Sequence, residues 1–120
     1  MSWLNSPDMR VLERFLDVAS MRQTLVSTNI ANVDTPGYHT RDVDFRGELQ
    51  RVLNTSLDAP DPMSPFVLPV RGLLARPDGN NVNPEREALL LAQVQLQFKA
   101  ATAILRAQFA EINNAIREGQ

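Results

Sequence analysis

Between Ala88 and Ala110 the chain carries only two charged side chains, Lys99 and Arg106. Through that stretch and beyond it, Leu91, Val94, Phe98, Ala101, Leu105, Gln108, Ile112 and Ala115 recur at alternating three- and four-residue steps. A helix of 3.6 residues per turn lines such positions up on one face, so the spacing predicts a long amphipathic helix. Leu89, Leu96, Ala100, Ala103, Ala107 and Ala110 thicken the apolar surface with mostly small residues. The start is marked by Asn83 as a cap, Pro84 at the first helical position, and Glu85 and Glu87 against the positive end of the helix dipole. With Gly119 as the stop, the helix spans 83–118 and is about 50 Å long.

The other end of the chain repeats this plan. Ser6-Pro7-Asp8 reads as a capping hydroxyl, a first-turn proline and a first-turn acid. Leu12, Leu16, Ala19, Gln23, Val26, Ile30 and Val33 then form one stripe, and Val11, Phe15, Val18 and Leu25 a second beside it. The predicted helix is 7–32, with Asn32 in a left-handed cap conformation. Two such helices should pack on each other, as an antiparallel or coiled-coil-like pair. A compact unit of roughly 60 residues buries only about 60% of its unfolded surface. The stripes are wider than one helical pair can cover, so the remaining apolar area is expected to go against other chains.

The middle is less regular. Thr35-Pro36-Gly37-Tyr38 suits a type II turn, with proline setting φ at the second position and glycine allowing positive φ at the third. Arg41, Val43 and Phe45 alternate with Asp42 and Asp44, a strand-like period of two. Phe45, Leu49, Val52 and Leu53 suggest a short helix ending at Asn54. Five of the eight prolines, Pro60, Pro62, Pro65, Pro69 and Pro77, fall between 58 and 79. That composition predicts a partly extended arm, on which Phe66, Val67, Leu68, Val70, Leu73 and Leu74 need a surface to lie against. Asp78-Gly79 marks a turn. The expected organisation is one mainly α domain, 1–120, in four parts. These are the N-terminal helix (7–32), the turn, extended segment and short helix (33–57), the extended, turn-rich and proline-rich arm (58–82), and the C-terminal helix (83–118).

Composition excludes several classes of function. Twelve basic residues face fourteen acidic ones, a net charge of −2. That balance offers no long-range attraction to nucleic acid or to an anionic membrane. There is no cysteine, hence no disulfide and no thiolate metal site. Asp8, Arg10, Glu13, Arg14 and Asp17 interrupt any apolar core of a cleavable signal peptide. The longest unbroken apolar run, Ala88 to Ala92, is far short of the roughly 20 residues of a membrane span. No nucleophile–base pair, phosphate-cradling glycine loop or metal-ligand spacing occurs, so no catalytic residue, metal or cofactor is expected. His39 is a lone histidine without a second ligand. Asp42 and Asp44 share one face of a strand, as a solvated edge does. Asn29 and Asn32 lie one helical turn apart, as solvated or capping residues mostly do.

The segment Asn29-Ile30-Ala31-Asn32 followed by Thr35-Pro36-Gly37-Tyr38 resembles the signature of flagellar axial proteins, where it follows an N-terminal helix. Arg41, Asp42, Asp44 and Phe45 after the turn narrow the resemblance to the flagellar basal-body rod protein family, and within it to proximal rod members. So does Asp78-Gly79-Asn80-Asn81-Val82-Asn83 before Glu85-Arg86-Glu87. The resemblance spans 10–55 and 76–118; Asn83 stands where the family commonly has aspartate, another good cap. It implies a non-enzymatic structural subunit that passes unfolded through the flagellar type III export apparatus and assembles helically in the periplasmic rod. Implied partners are further copies of the chain, other rod proteins, a ring-to-rod adaptor and the membrane ring. The resemblance also favours backbone contacts from Asn29 and Asn32 to a neighbouring chain. Leu12, Leu16, Val26, Ile30, Leu91, Val94, Phe98, Leu105 and Ile112 would pack the helices. The rival expectation is a soluble helical adaptor or secretion chaperone, which would be fully folded on its own.

Overall fold

The computed structural model of the chain describes residues 7–54 and 65–119. The elements run α1 (Pro7–Ala31), β1 (Arg41–Val43), α2 (Phe45–Leu53), β2 (Val67–Pro69) and α3 (Pro84–Glu118). The expected cap Ser6 and the arm prolines Pro60 and Pro62 lie outside the described residues.

Local chemistry sets the helix ends. The Asn83 side-chain oxygen accepts the Glu85 and Arg86 amides at 3.0 and 3.2 Å, which satisfies two of the four free donors that open any helix. Asp44 does the same for α2, accepting from the Gly47 amide at 3.1 Å. The exit of α1 differs from the sequence expectation. Among the described residues only glycines have positive φ, so Asn32 is not a left-handed cap. Its Nδ2 instead donates back to the Thr28 carbonyl at 2.8 Å, and its Oδ1 accepts from Thr35 Oγ1 at 3.0 Å. A side chain that closes the helix end itself removes the need for backbone strain.

α1 is the element against which α2, β1 and α3 all pack. α1 and α3 run in opposite directions: Asn29, late in α1, bonds Glu87 in the first turn of α3, while Val11 and Leu12 share a groove with Ala100, Ala101 and Ile104. The buried apolar residues are Leu12, Val18, Ala19, Leu25 and Val26 of α1, Val43 of β1, Val52 of α2, Val82, and Val94 and Ala101 of α3. Phe15 and Phe45 meet edge to face at 5.2 Å between ring centroids. Leu16, Leu91, Phe98, Leu105 and Ile112 are half-buried. Ile30, expected in the packed stripe, is exposed. The end of α1 turns Asn29 inward, and the step of about 100° between neighbouring helical residues carries Ile30 out.

The described part of the arm, 65–82, contains a strand. β2 pairs antiparallel with β1, with Arg41 opposite Pro69, Asp42 opposite Leu68 and Val43 opposite Val67. Pro69 sits at the end of the ladder, where a missing N–H costs least, and the Val70 amide extends it to the Thr40 carbonyl at 3.0 Å. Leu68 and Leu74 are exposed.

The shape is elongated. Its extents are 68 × 28 × 17 Å and its radius of gyration is 18.4 Å, against about 14 Å for a compact chain of this length. The cause is α3, whose 35 residues outrun the 25 of α1. Taken whole, α3 is long and apolar enough, by length and composition alone, to cross a membrane. The unbroken-run argument missed this because glutamines are interspersed along the helix.

Candidate assembly site

The motif residues converge where the end of α1, the turn after it and the start of α3 meet. Asn29 is at the centre and is buried. Its Nδ2 donates to the Arg41 carbonyl at 2.9 Å and to Glu87 Oε2 at 3.1 Å. Its Oδ1 accepts from the Tyr38 hydroxyl at 2.8 Å and the Arg41 amide at 3.2 Å. A carboxamide has two donors and two acceptor sites, so Asn29 is saturated within its own chain. The sequence reading aimed Asn29 at a neighbouring backbone; the backbone it binds is that of β1.

The turn is built as its residues dictate. The Tyr38 amide donates to the Thr35 carbonyl at 3.2 Å, and Gly37 has φ +75°, the third-position value of a type II turn. A second turn, Arg76-Pro77-Asp78-Gly79, is closed by the Gly79 amide on the Arg76 carbonyl at 2.8 Å. The two turns lie against each other. The Gly37 amide donates to the Asp78 carbonyl at 2.9 Å, and a Cβ on Gly79 would stand 3.4 Å from Gly37 Cα.

Asn80 and Asn81 lock this contact. Asn80 Nδ2 donates to the carbonyls of Asn32 and Thr35, both at 2.8 Å, and Arg76 donates to the Val33 carbonyl. The Asn32 and Thr35 carbonyls also accept the Thr35 and Tyr38 amides, so Asn80 takes the second lone pair of each. Asn81 Oδ1 accepts the Thr40 amide at 2.6 Å.

Charge completes the junction. Asp42 accepts from Arg22 Nε and Nη2 at 3.1 and 3.3 Å and from Arg86 Nη2 at 3.2 Å. Arg86 Nη1 also donates to Glu87 Oε1 at 2.7 Å. Arg22, Asp42, Arg86, Glu87 and Asn29 thus form one connected chain across α1, β1 and α3. Asp42 is therefore no solvated edge, as a two-residue strand period alone had suggested, and Asp44 is the cap of α2. Glu87, expected only to complement the dipole, has no exposed surface; its two partners offset the cost of burying it.

A second buried pair ties α1 to α2 and β2. Arg14 Nη2 donates to Glu48 Oε2 at 2.7 Å, Arg51 Nη1 to the same carboxylate at 2.9 Å, and the Phe66 amide to Oε1 at 3.1 Å. Burial pushes the Glu48 carboxyl up, but the Phe66 amide and the two arginines outweigh it and hold it below the usual glutamate value. Sequence reasoning missed Arg14, Arg22, Glu48, Arg86 and Glu87 as partners. A signal was present: Arg22 and Asn29 continue the stripe of Val18 and Leu25 in register, which places polar groups on a face that must be buried.

The motif divides into an inner and an outer set. Asn29 is buried, and Asn32, Tyr38, Asp42 and Phe45 are half-buried. Ile30, Ala31, Thr35, Pro36, Gly37, Arg41 and Asp44 are exposed, with His39 beside them. Among the described residues no group of three or more His, Asp or Glu side chains could hold a metal ion. The arrangement positions backbone segments and presents a surface.

No protein-family model matches the chain. Curated relatives do, over nearly their whole length. The flagellar basal body rod protein FlgB of Escherichia coli strain K12 is 30% identical, with 92% of this chain and 94% of that protein covered. FlgB of Borrelia hermsii is 34% identical over 87% of this chain and 91% of the relative. FlgB of Bacillus subtilis strain 168 is 28% identical over 98% of both. These full-length similarities agree with the signature at 29–38, and the chain belongs to the FlgB family of flagellar basal body rod proteins.

Proposed function

We propose that the chain is one structural domain of the proximal rod, assembling helically through its terminal helices to join the membrane ring to the rest of the drive shaft. The observation that carries this reading is the apolar surface of α3 that the rest of the chain leaves uncovered. Leu89, Leu96, Ile104, Phe109 and Ile116 are each at least half exposed, with exposed alanines between them. An exposed apolar surface this long marks a contact surface. Gln93, Gln95, Lys99 and Arg106 on the same helix suit packing against other polypeptides better than against lipid, where each such group costs free energy. The junction around Asn29 fixes how α3 leaves α1, so every copy presents this face at the same angle, as a helical lattice requires.

The partners in this reading are further copies of the chain, other rod proteins, a ring-to-rod adaptor and the membrane ring. The chain reaches them through the type III export apparatus. The outer set, from Ile30 to Arg41, would touch a neighbouring subunit. The test is Leu96→Asp expressed in a strain lacking the native gene. Hook-basal bodies and swimming should be lost while the protein is still exported and its helical circular dichroism is unchanged. A Leu96→Asp strain that swims normally overturns the reading.

A further inference from the structure

Leu74 is 95% exposed, more than any other large apolar side chain of the described residues. It stands on the irregular stretch between β2 and the Arg76-Pro77-Asp78-Gly79 turn. The backbone around it is open: the Leu73, Leu74 and Ala75 amides donate to no carbonyl among the described residues. Arg71, just before it, is exposed and belongs to no ion pair among the described residues.

A surface of matching character lies elsewhere on the chain. Between α1, α2 and α3 is an apolar groove of ≈470 Å³, walled by Val11, Leu12, Phe15, Leu53 and Ile104. Gln108 also lines it, and the Gln108 Oε1 is buried with no hydrogen-bond partner, a costly state for an acceptor. Asp8 stands at its edge, exposed and likewise in no ion pair among the described residues. The groove thus offers an apolar hollow, one unpaired acceptor and one negative charge. The loop offers an apolar knob, free amides and one positive charge.

On a single chain the two cannot meet. The groove is walled by the first turns of α1, whereas Arg76 donates to the Val33 carbonyl beyond the other end of that helix. About 24 Å of helix separates Phe15 from Ala31, and the two residue steps from Arg76 back to Leu74 span at most about 7 Å. We propose that Leu74 of one copy seats in the groove of a second copy, with Arg71 against Asp8 of that copy and a loop amide donated to its Gln108 Oε1. An ion pair at such an edge adds little affinity, but it fixes which surfaces meet. Knob and groove are different surfaces, so each pairing leaves one of each free and the contact propagates head to tail. The inference rests on the reading of the chain as a subunit of a helical assembly, and it names one contact within it.

Cross-linking tests this directly, because the chain has no cysteine of its own. Leu74→Cys and Leu53→Cys, prepared separately, should keep the helical circular dichroism, since both residues are exposed. Mixed and oxidised, the two proteins should form disulfide-linked dimers several-fold more often than either does alone. Adding Asp8→Arg to the Leu53→Cys chain should lower that yield several-fold, and adding Arg71→Asp to the Leu74→Cys chain should then restore it. A mixture that cross-links no more than the single variants overturns the proposal, as does a charge swap that fails to restore the yield. In cells, Leu74→Asp should reduce the number of hook-basal bodies. Normal swimming with Leu74→Asp, beside lost swimming with Leu96→Asp, overturns this contact and leaves helical assembly standing.

Discussion

Asn29 Nδ2 donates to Glu87 Oε2 across 3.1 Å, joining residues 58 positions apart in the sequence. This bond sets the first turn of α3 against the last turn of α1. The same side chain holds Tyr38 and both polar backbone groups of Arg41, so one residue carries the geometry of the turn, the strand and the two long helices. Asn29→Ala leaves several buried groups unpaired, at about 1–3 kcal/mol each. The expected loss is about 3 kcal/mol or more, read by urea unfolding followed by circular dichroism. A loss below about 1 kcal/mol would show that these bonds do not persist in solution.

The glycine pair sets a graded expectation. Gly37 and Gly79 both hold positive φ, where a residue with Cβ is destabilised by about 1–2 kcal/mol. A Cβ on Gly37 meets nothing within 4 Å, whereas one on Gly79 presses on Gly37 Cα. Gly79→Ala should therefore cost more than Gly37→Ala in the same unfolding experiment. In cells Gly37→Val should reduce rod formation and swimming far more than His39→Ala, since the exposed histidine makes at most one contact. Equal effects of the two glycine changes would mean that the turns do not touch.

Acid should weaken the α1–α2 junction. The folded Glu48 carboxyl titrates below its ordinary value. Its contribution is therefore complete above the unfolded pKa of about 4.3 and is lost as pH falls through the lower, folded value. Glu48→Ala removes the carboxylate that Arg14 and Arg51 share and should cost about 3–5 kcal/mol at neutral pH. The gap between wild type and Glu48→Gln should shrink as pH falls below about 4. Melting curves between neutral pH and pH 3 follow it, and a gap that widens toward acid would contradict the assignment.

Two aspartate substitutions two residues apart should separate folding from assembly. Phe98 lies half-buried on the stripe that continues Val94 and Ala101, while Leu96 points outward. Phe98→Asp places a carboxylate in the helix contact and should lower stability by several kcal/mol, on the order of the cost of burying an unpaired polar group. Leu105→Asp should behave alike. Leu96→Asp should leave the Tm nearly unchanged. Comparing the purified variants by thermal melting, and then in cells for basal bodies, distinguishes the two faces of α3.

Sequence alone determined the local features. Asn83 and Pro84 mark the start of α3, and Gly37 supplies the positive φ of the turn, because each acts on atoms within a few residues. The three- and four-residue stripes likewise show that both terminal segments are helical. Tertiary structure decided which polar groups meet. Arg22 with Asp42, Arg14 with Glu48 and Asn29 with Glu87 are each brought together by the crossing of separate elements, and no local spacing encodes those distances. The same holds for β2, whose three residues gain their ladder only because β1 lies beside them. Ile30 shows the limit most clearly: its place in the stripe was correct by periodicity, but the inward turn of Asn29 decided which face of α1's last turn is buried.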